Sequence, residues 1–197
     1  MGGARRRHWS CLTPWPGSSR PDSIDPNDLD YLAALGVIWA LNFAGALDPG
    51  SLLEMRVALV EIGRALDAAV VPAVPAHVSL EGAEGDMPGL RSADLPSTVF
   101  DAHGAAIVYK PPGWEVSQVA DRTRECQLSD YMQAMLPQRC WPLVHDDAHC
   151  YGILHRLDIP CSGLILAAKT FEAYYDLQVQ LSSGGLVRDY TVLSHGA

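Results

Sequence analysis

The densest chemistry in the chain lies in His155-Arg156-Leu157-Asp158-Ile159-Pro160-Cys161-Ser162-Gly163-Leu164, where an imidazole, a guanidinium and a carboxylate fall within four residues. A carboxylate serves as nucleophile or base only when its orientation is fixed. The flanking residues supply that constraint. Pro160 restricts Ile159 to extended geometry, and Gly163 lets the backbone turn tightly or pack closely. A loop so held, entering the apolar strand Leu164-Ile165-Leu166-Ala167-Ala168, presents Asp158 at a strand end, where sites tend to be built. On spacing alone, a salt-bridged Arg-x-Asp on a surface turn is the plainer reading. Arg188 and Tyr190 form a second pair. Alternation along a strand over residues 186–193 turns Leu186, Arg188, Tyr190 and Val192 to one face and Val187, Asp189, Thr191 and Leu193 to the other. A cation beside an aromatic ring suits a flat base and its phosphate. An amphipathic edge strand gives the same pattern.

The run from His155 to Leu164 resembles the H-R-L-D-x-x-T-S-G-L signature of RluA-type pseudouridine synthases, with Cys161 where Thr is usual. Val108-Tyr109-Lys110-Pro111-Pro112-Gly113-Trp114 is similar to the family's upstream K-P-x-G element. Arg188-Asp189-Tyr190 is similar to its K-x-Y element, with Arg for Lys. Three elements in the family's order are far more specific than one short match. The resemblance implies an isomerase, a pseudouridine synthase that converts uridine to pseudouridine within RNA (tRNA or rRNA). The target base would be flipped out to expose its glycosidic bond. Asp158 would be the carboxylate nucleophile, attacking either the base or the ribose C1′. Tyr190 would stack on the uracil and help to remove the C5 proton, while Arg156, Arg188 and Lys110 would bind RNA. The chemistry needs no cofactor and no metal. The family's remaining strands, and a basic residue paired with the nucleophile, lie beyond the position of Ala197. The expectation is therefore an incomplete catalytic domain with little turnover of its own. The alternative is a non-catalytic relative that binds RNA or a protein partner.

Two other chemistries compete for the same residues. Cys140, His145, His149, Cys150 and His155 are dense in metal-ligand types, but structural zinc sites pair ligands in both halves, and only H-x3-H is present. Residues 155–158 are also similar to the kinase H-R-D loop, which needs an Asn five residues after its Asp; Gly163 stands there, and no glycine-rich phosphate loop precedes it.

The elements that must position these residues read as follows. Residues 1–24 hold Arg5, Arg6, Arg7 and many Pro, Gly and Ser, a disordered basic tail more than a transit peptide. Asp25-Pro26 caps a helix whose run from Tyr31 to Leu47 is apolar apart from Asn42. Its length and lack of basic flanks favour a buried helix over a membrane span. Ser51 and Glu54 form a capping box for a second helix with Leu52, Met55, Leu59, Ile62 and Leu66 on one face. Residues 25–70 are thus expected to form a helical hairpin whose faces cover each other, followed by a linker over 71–97. From 98 to 197 the pattern is strand, helix and strand: a strand at Ala106–Tyr109 stopped by Lys110-Pro111-Pro112-Gly113, a short helix capped by Ser129, a strand at 164–168, and a helix capped by Thr170 and ended by Gly184-Gly185. The whole is an α+β chain, a partial mixed β-sheet domain preceded by the hairpin.

Composition sets the limits. The chain has 197 residues, 48% hydrophobic and 19% charged, enough to bury a core. Its net charge is −9, so RNA binding must rest on a local basic site built from Lys110, Arg122, Arg124, Arg139, Arg156 and Arg188. Five cysteines without a C-x-x-C pair read as free thiols in a reducing compartment, cytoplasmic or organellar.

Overall fold

The computed structural model describes residues 26–70, 95–116 and 126–194. Among them the order is α1 (Pro26–Phe43), α2 (Pro49–Val70), β1 (Ser97–Asp101), β2 (Ala105–Lys110), α3 (Leu128–Met135), β3 (Gly163–Ala168) and α4 (Phe171–Ser182). Short 3₁₀ turns occupy Pro142–His145 and Cys150–Gly152. The architecture is mixed α+β around one antiparallel sheet, ordered β1-β2-β3. The basic tail, the Asp25 cap, Arg122, Arg124 and residues 71–94 of the linker expected over 71–97 lie outside the described residues.

β2 and β3 pair in register from Ala105↔Ala168 to Lys110↔Gly163. Alternation sends Ala106 and Val108 of β2, with their partners Ala167 and Ile165, into one core against Leu128, Met132 and Leu136. Ile165 is fully buried, worth about 1.5–3 kcal/mol for such a side chain. β2 stops at Lys110 because Pro111 and Pro112 cannot extend the ladder. β1 falls where the sequence reads as linker and onset. Its pairing to β2 carries a bulge between Thr98 and Phe100, which leaves Val99 and Phe100 both exposed and erases the period of two.

The second core joins the helices. Tyr31, Leu35 and Ile38 of α1 and Leu59 of α2 meet Phe171, Tyr174, Tyr175 and Val179 of α4. The two N-terminal helices therefore pack on α4 more than on each other, unlike the self-covering hairpin expected. Gly63 makes the close approach possible, since a Cβ there would lie 2.6 Å from Glu172 Cα. Asp67 of α2 caps α4 from outside, accepting the Phe171 and Glu172 N–H groups at 2.9 Å each. Arg64 of α2 pairs with Glu172, and Arg56 with Asp176. The Ser51 capping box is corrected as well. α2 begins at Pro49, and Asp48 is its cap, accepting the Ser51 N–H at 2.9 Å.

α1 ends at Phe43 and buries one face, leaving Leu32, Val37 and Phe43 exposed. No helix among the described residues is long and apolar enough to cross a membrane. Thr170 caps α4 as expected, accepting the Ala173 N–H at 3.2 Å. α3 differs, because its cap is Gln127 and Ser129 lies buried inside it.

The expected strand over 186–193 is absent; residues 186–194 have no regular structure. A strand needs a ladder partner, and the outer edge of β3 is engaged elsewhere. Leu154 N–H donates to Leu166 O at 3.1 Å, Ile153 bridges to Ala167, and Leu166 N–H donates to the His155 ring.

Candidate functional site

Lys110 ends β2 with its side chain turned inward and no solvent exposure. Its Nζ donates to the Trp114 carbonyl at 2.8 Å, the Pro111 carbonyl at 3.2 Å and the Ile159 carbonyl at 3.3 Å. Gly113 N–H donates to that same Ile159 carbonyl at 2.8 Å. The Lys-Pro-Pro-Gly turn and the loop around Asp158 are thus stitched together through one oxygen. Burial draws the Lys110 ammonium below the ordinary lysine range, and electrostatic interaction with Cys161 and Asp158 opposes that shift. Lys110, expected to bind RNA, is thus placed with its ammonium on protein carbonyls. Its Nζ lies behind the loop, with the Pro111, Trp114 and Ile159 carbonyls as its partners.

Asp158 faces solvent. Its carbonyl accepts the Cys161 N–H at 3.0 Å, closing a turn over Ile159 and Pro160. Leu157 packs against the core below. The carboxylate therefore stands on a turn held by backbone bonds on one side and a buried side chain on the other. Arg156 and Cys161 are exposed beside it.

His155 is buried, and its Nε2 accepts the Leu166 N–H at 3.1 Å, in the place a strand carbonyl would take. The ring proton then belongs on Nδ1, which is buried with no hydrogen-bond partner. Burial first, and the nearby Arg188 charge second, lower its pKa to about 4. His155 is therefore neutral near pH 7 and suited to holding β3 rather than moving a proton.

Upstream, Cys150, Tyr151 and Gly152 have φ values of 52°, 57° and 76°. Two non-glycine residues in this left-handed region cost roughly 1–2 kcal/mol each. Gly152 is obligatory, because a methyl group there would collide with the Ala168 carbonyl oxygen. The residues weighed as zinc ligands are engaged otherwise. His145 Nε2 bonds the Leu136 carbonyl at 2.7 Å, His149 bonds Asp146 and Tyr175, and Cys140 is buried in the core. Among the described residues, no group of three or more His, Cys, Asp or Glu could hold a metal ion.

Arg188 and Tyr190 do not share the face of a strand, because no strand forms there. Both are exposed, Tyr190 by 58%. Sequence reasoning missed Lys169, a buried cation paired with Asp101 and lying 4.7 Å over the Trp141 ring. Its only sequence signal is a lysine directly after an apolar strand. A groove of about 560 Å³ runs between α2 and α4 at the β1–β2 turn, and none of residues 155–163 lines it. Comparison with protein-family models, curated proteins and solved structures finds no match.

Proposed function

We propose that the chain is a pseudouridine synthase-like protein in which the Asp158 carboxylate is the nucleophile that isomerises uridine to pseudouridine in RNA. One observation carries this reading. The two elements that resemble the family's first and second motifs meet through the Ile159 carbonyl, held by Lys110 Nζ and Gly113 N–H. That stitch leaves Asp158 as the exposed carboxylate of an otherwise immobilised turn. The reaction is balanced within one nucleoside. Asp158 adds to the base or to C1′ and the N1–C1′ bond breaks. The uracil turns, C5 bonds to C1′, and the C5 proton leaves as N1 gains one. Asp158 returns as a carboxylate. Arg156 would contact the RNA backbone, and Tyr190 would stack on the base once RNA orders its segment.

The second reading, a non-catalytic relative that binds RNA or a partner, is favoured by the exposure of Tyr190 and Arg188 outside any strand. Incubation with tRNA and rRNA, followed by mapping of pseudouridine, separates the two. Product formed by the wild-type chain and abolished by Asp158→Asn supports the enzyme. RNA binding without product in either protein supports the relative.

A further inference from the structure

We infer that His149 is a positioning residue for Asp158, acting through the left-handed turn at Cys150–Gly152 that seats the start of the Asp158 loop on the edge of β3; the inference rests on Asp158 being the nucleophile. The imidazole is buried and bonded at both nitrogens. Nδ1 donates to Asp146 Oδ2 at 2.7 Å, and in that tautomer Nε2 accepts from the Tyr175 hydroxyl at 3.2 Å. Tyr31 of α1 stacks on the ring at 5.9 Å, while Phe171 and Tyr174 of α4 meet it edge-on at 5.1 and 5.3 Å. One side chain thus ties the loop to two helices.

The turn that follows needs such an anchor. L-residues hold a left-handed conformation only where the surroundings over-determine it. Here the backbone bonds run to the two residues that grip each other: Tyr151 N–H donates to Asp146 O at 2.8 Å, and Gly152 N–H to His149 O at 3.0 Å. From Gly152 the chain passes directly to the β3 edge, where Leu154 N–H and the His155 ring both engage Leu166. Four residues beyond His155, Ile159 is tied to Gly113 and Lys110. Asp158 is therefore suspended between two fixed ends. Loss of His149 frees the upstream end alone and lets the carboxylate drift, and a displacement of about 1 Å is enough to weaken an oriented reaction strongly.

The test is amide hydrogen exchange on the whole chain with His149→Ala and with His149→Asn, whose amide can replace the Nδ1 donor toward Asp146. In His149→Ala, exchange at Leu154 and Leu166 should rise about tenfold or more, while Gly113 and the β2–β3 ladder stay within about twofold. His149→Asn should restore most of that protection. Unchanged exchange at Leu166 overturns the inference. So does a uniform rise over β2, β3 and α4 in both variants, which marks ordinary loss of core packing. Under the isomerase reading, His149→Ala should also lower kcat about tenfold or more with KM for RNA within about twofold. An unaltered kcat despite a loosened turn overturns the positioning role. A chain extended to a complete catalytic domain and still without turnover counts against Asp158 as nucleophile, and the exchange data still judge the turn.

Discussion

Asp158 and Lys110 meet at one turn and differ sharply in exposure. The carboxylate meets solvent, whereas the ammonium holds the Ile159 carbonyl from within. The sequence marks both residues through the spacing of their motifs, but it does not tell an RNA-facing lysine from a buried one. Burial depends on how β2 and the loop pack, and neighbouring residue types do not encode it. His155 illustrates the same limit, since its role as a stand-in for a strand carbonyl requires the register of β3. Its lowered pKa has a measurable consequence. Below the ordinary value of 6.5 the unfolded chain takes up a proton that the folded chain refuses until about pH 4. Stability from this group is thus present above pH 6.5 and falls as pH drops toward 4, by up to about 3 kcal/mol. Urea denaturation of wild type and His155→Gln at pH 7 and pH 4.5 measures it. The loss between the two pH values should be about 2–3 kcal/mol smaller in the variant, and equal losses would contradict the assignment.

Elements with an unbroken local signal were legible. β2 and β3 follow from apolar runs bounded by Pro and Gly, and α4 from Thr170 and the Gly184-Gly185 stop. β1 was not, because its bulge hides the alternation. The strand over 186–193 was legible as a pattern yet does not form, since alternation specifies a face and not a partner. The packing of α2 on α4 was equally hidden, although Gly63, a glycine inside an otherwise good helix pattern, was its one trace. Gly63→Ala tests that contact. Its methyl group would lie 2.6 Å from Glu172 Cα and 2.7 Å from the Glu172 nitrogen, both backbone atoms. Helix propensity alone favours alanine by about 1 kcal/mol, whereas overpacking costs typically about 1–3 kcal/mol. A lower urea midpoint is expected. A midpoint raised by the full propensity gain would show that α2 is not seated on α4.

At the scale of the molecule, charge and chemistry pull in different directions. A net charge of −9 opposes a polyanion, and among the described residues the exposed cations are few. Among the described residues Lys110 and Lys169 are buried, while Arg156, Arg188 and Arg139 are exposed and the exposed Arg56 and Arg64 are paired with carboxylates. RNA affinity should therefore be weak and should fall steeply with added salt. Arg156→Glu combined with Arg188→Glu should abolish it in a filter-binding titration at low ionic strength; undiminished binding would place the RNA surface elsewhere. Composition made this balance legible from the start, while the sorting of cations into buried and exposed awaited the fold. The central claim concerns a single carboxylate, and release of tritium from C5 of uridine-labelled RNA tests it most directly. With the chain extended to a complete catalytic domain, tritium should be released in step with pseudouridine. With Asp158→Asn, nearly isosteric but unable to act as the nucleophile, release should fall by about a thousandfold or more while RNA affinity stays within about twofold. Release that survives Asp158→Asn would contradict the account.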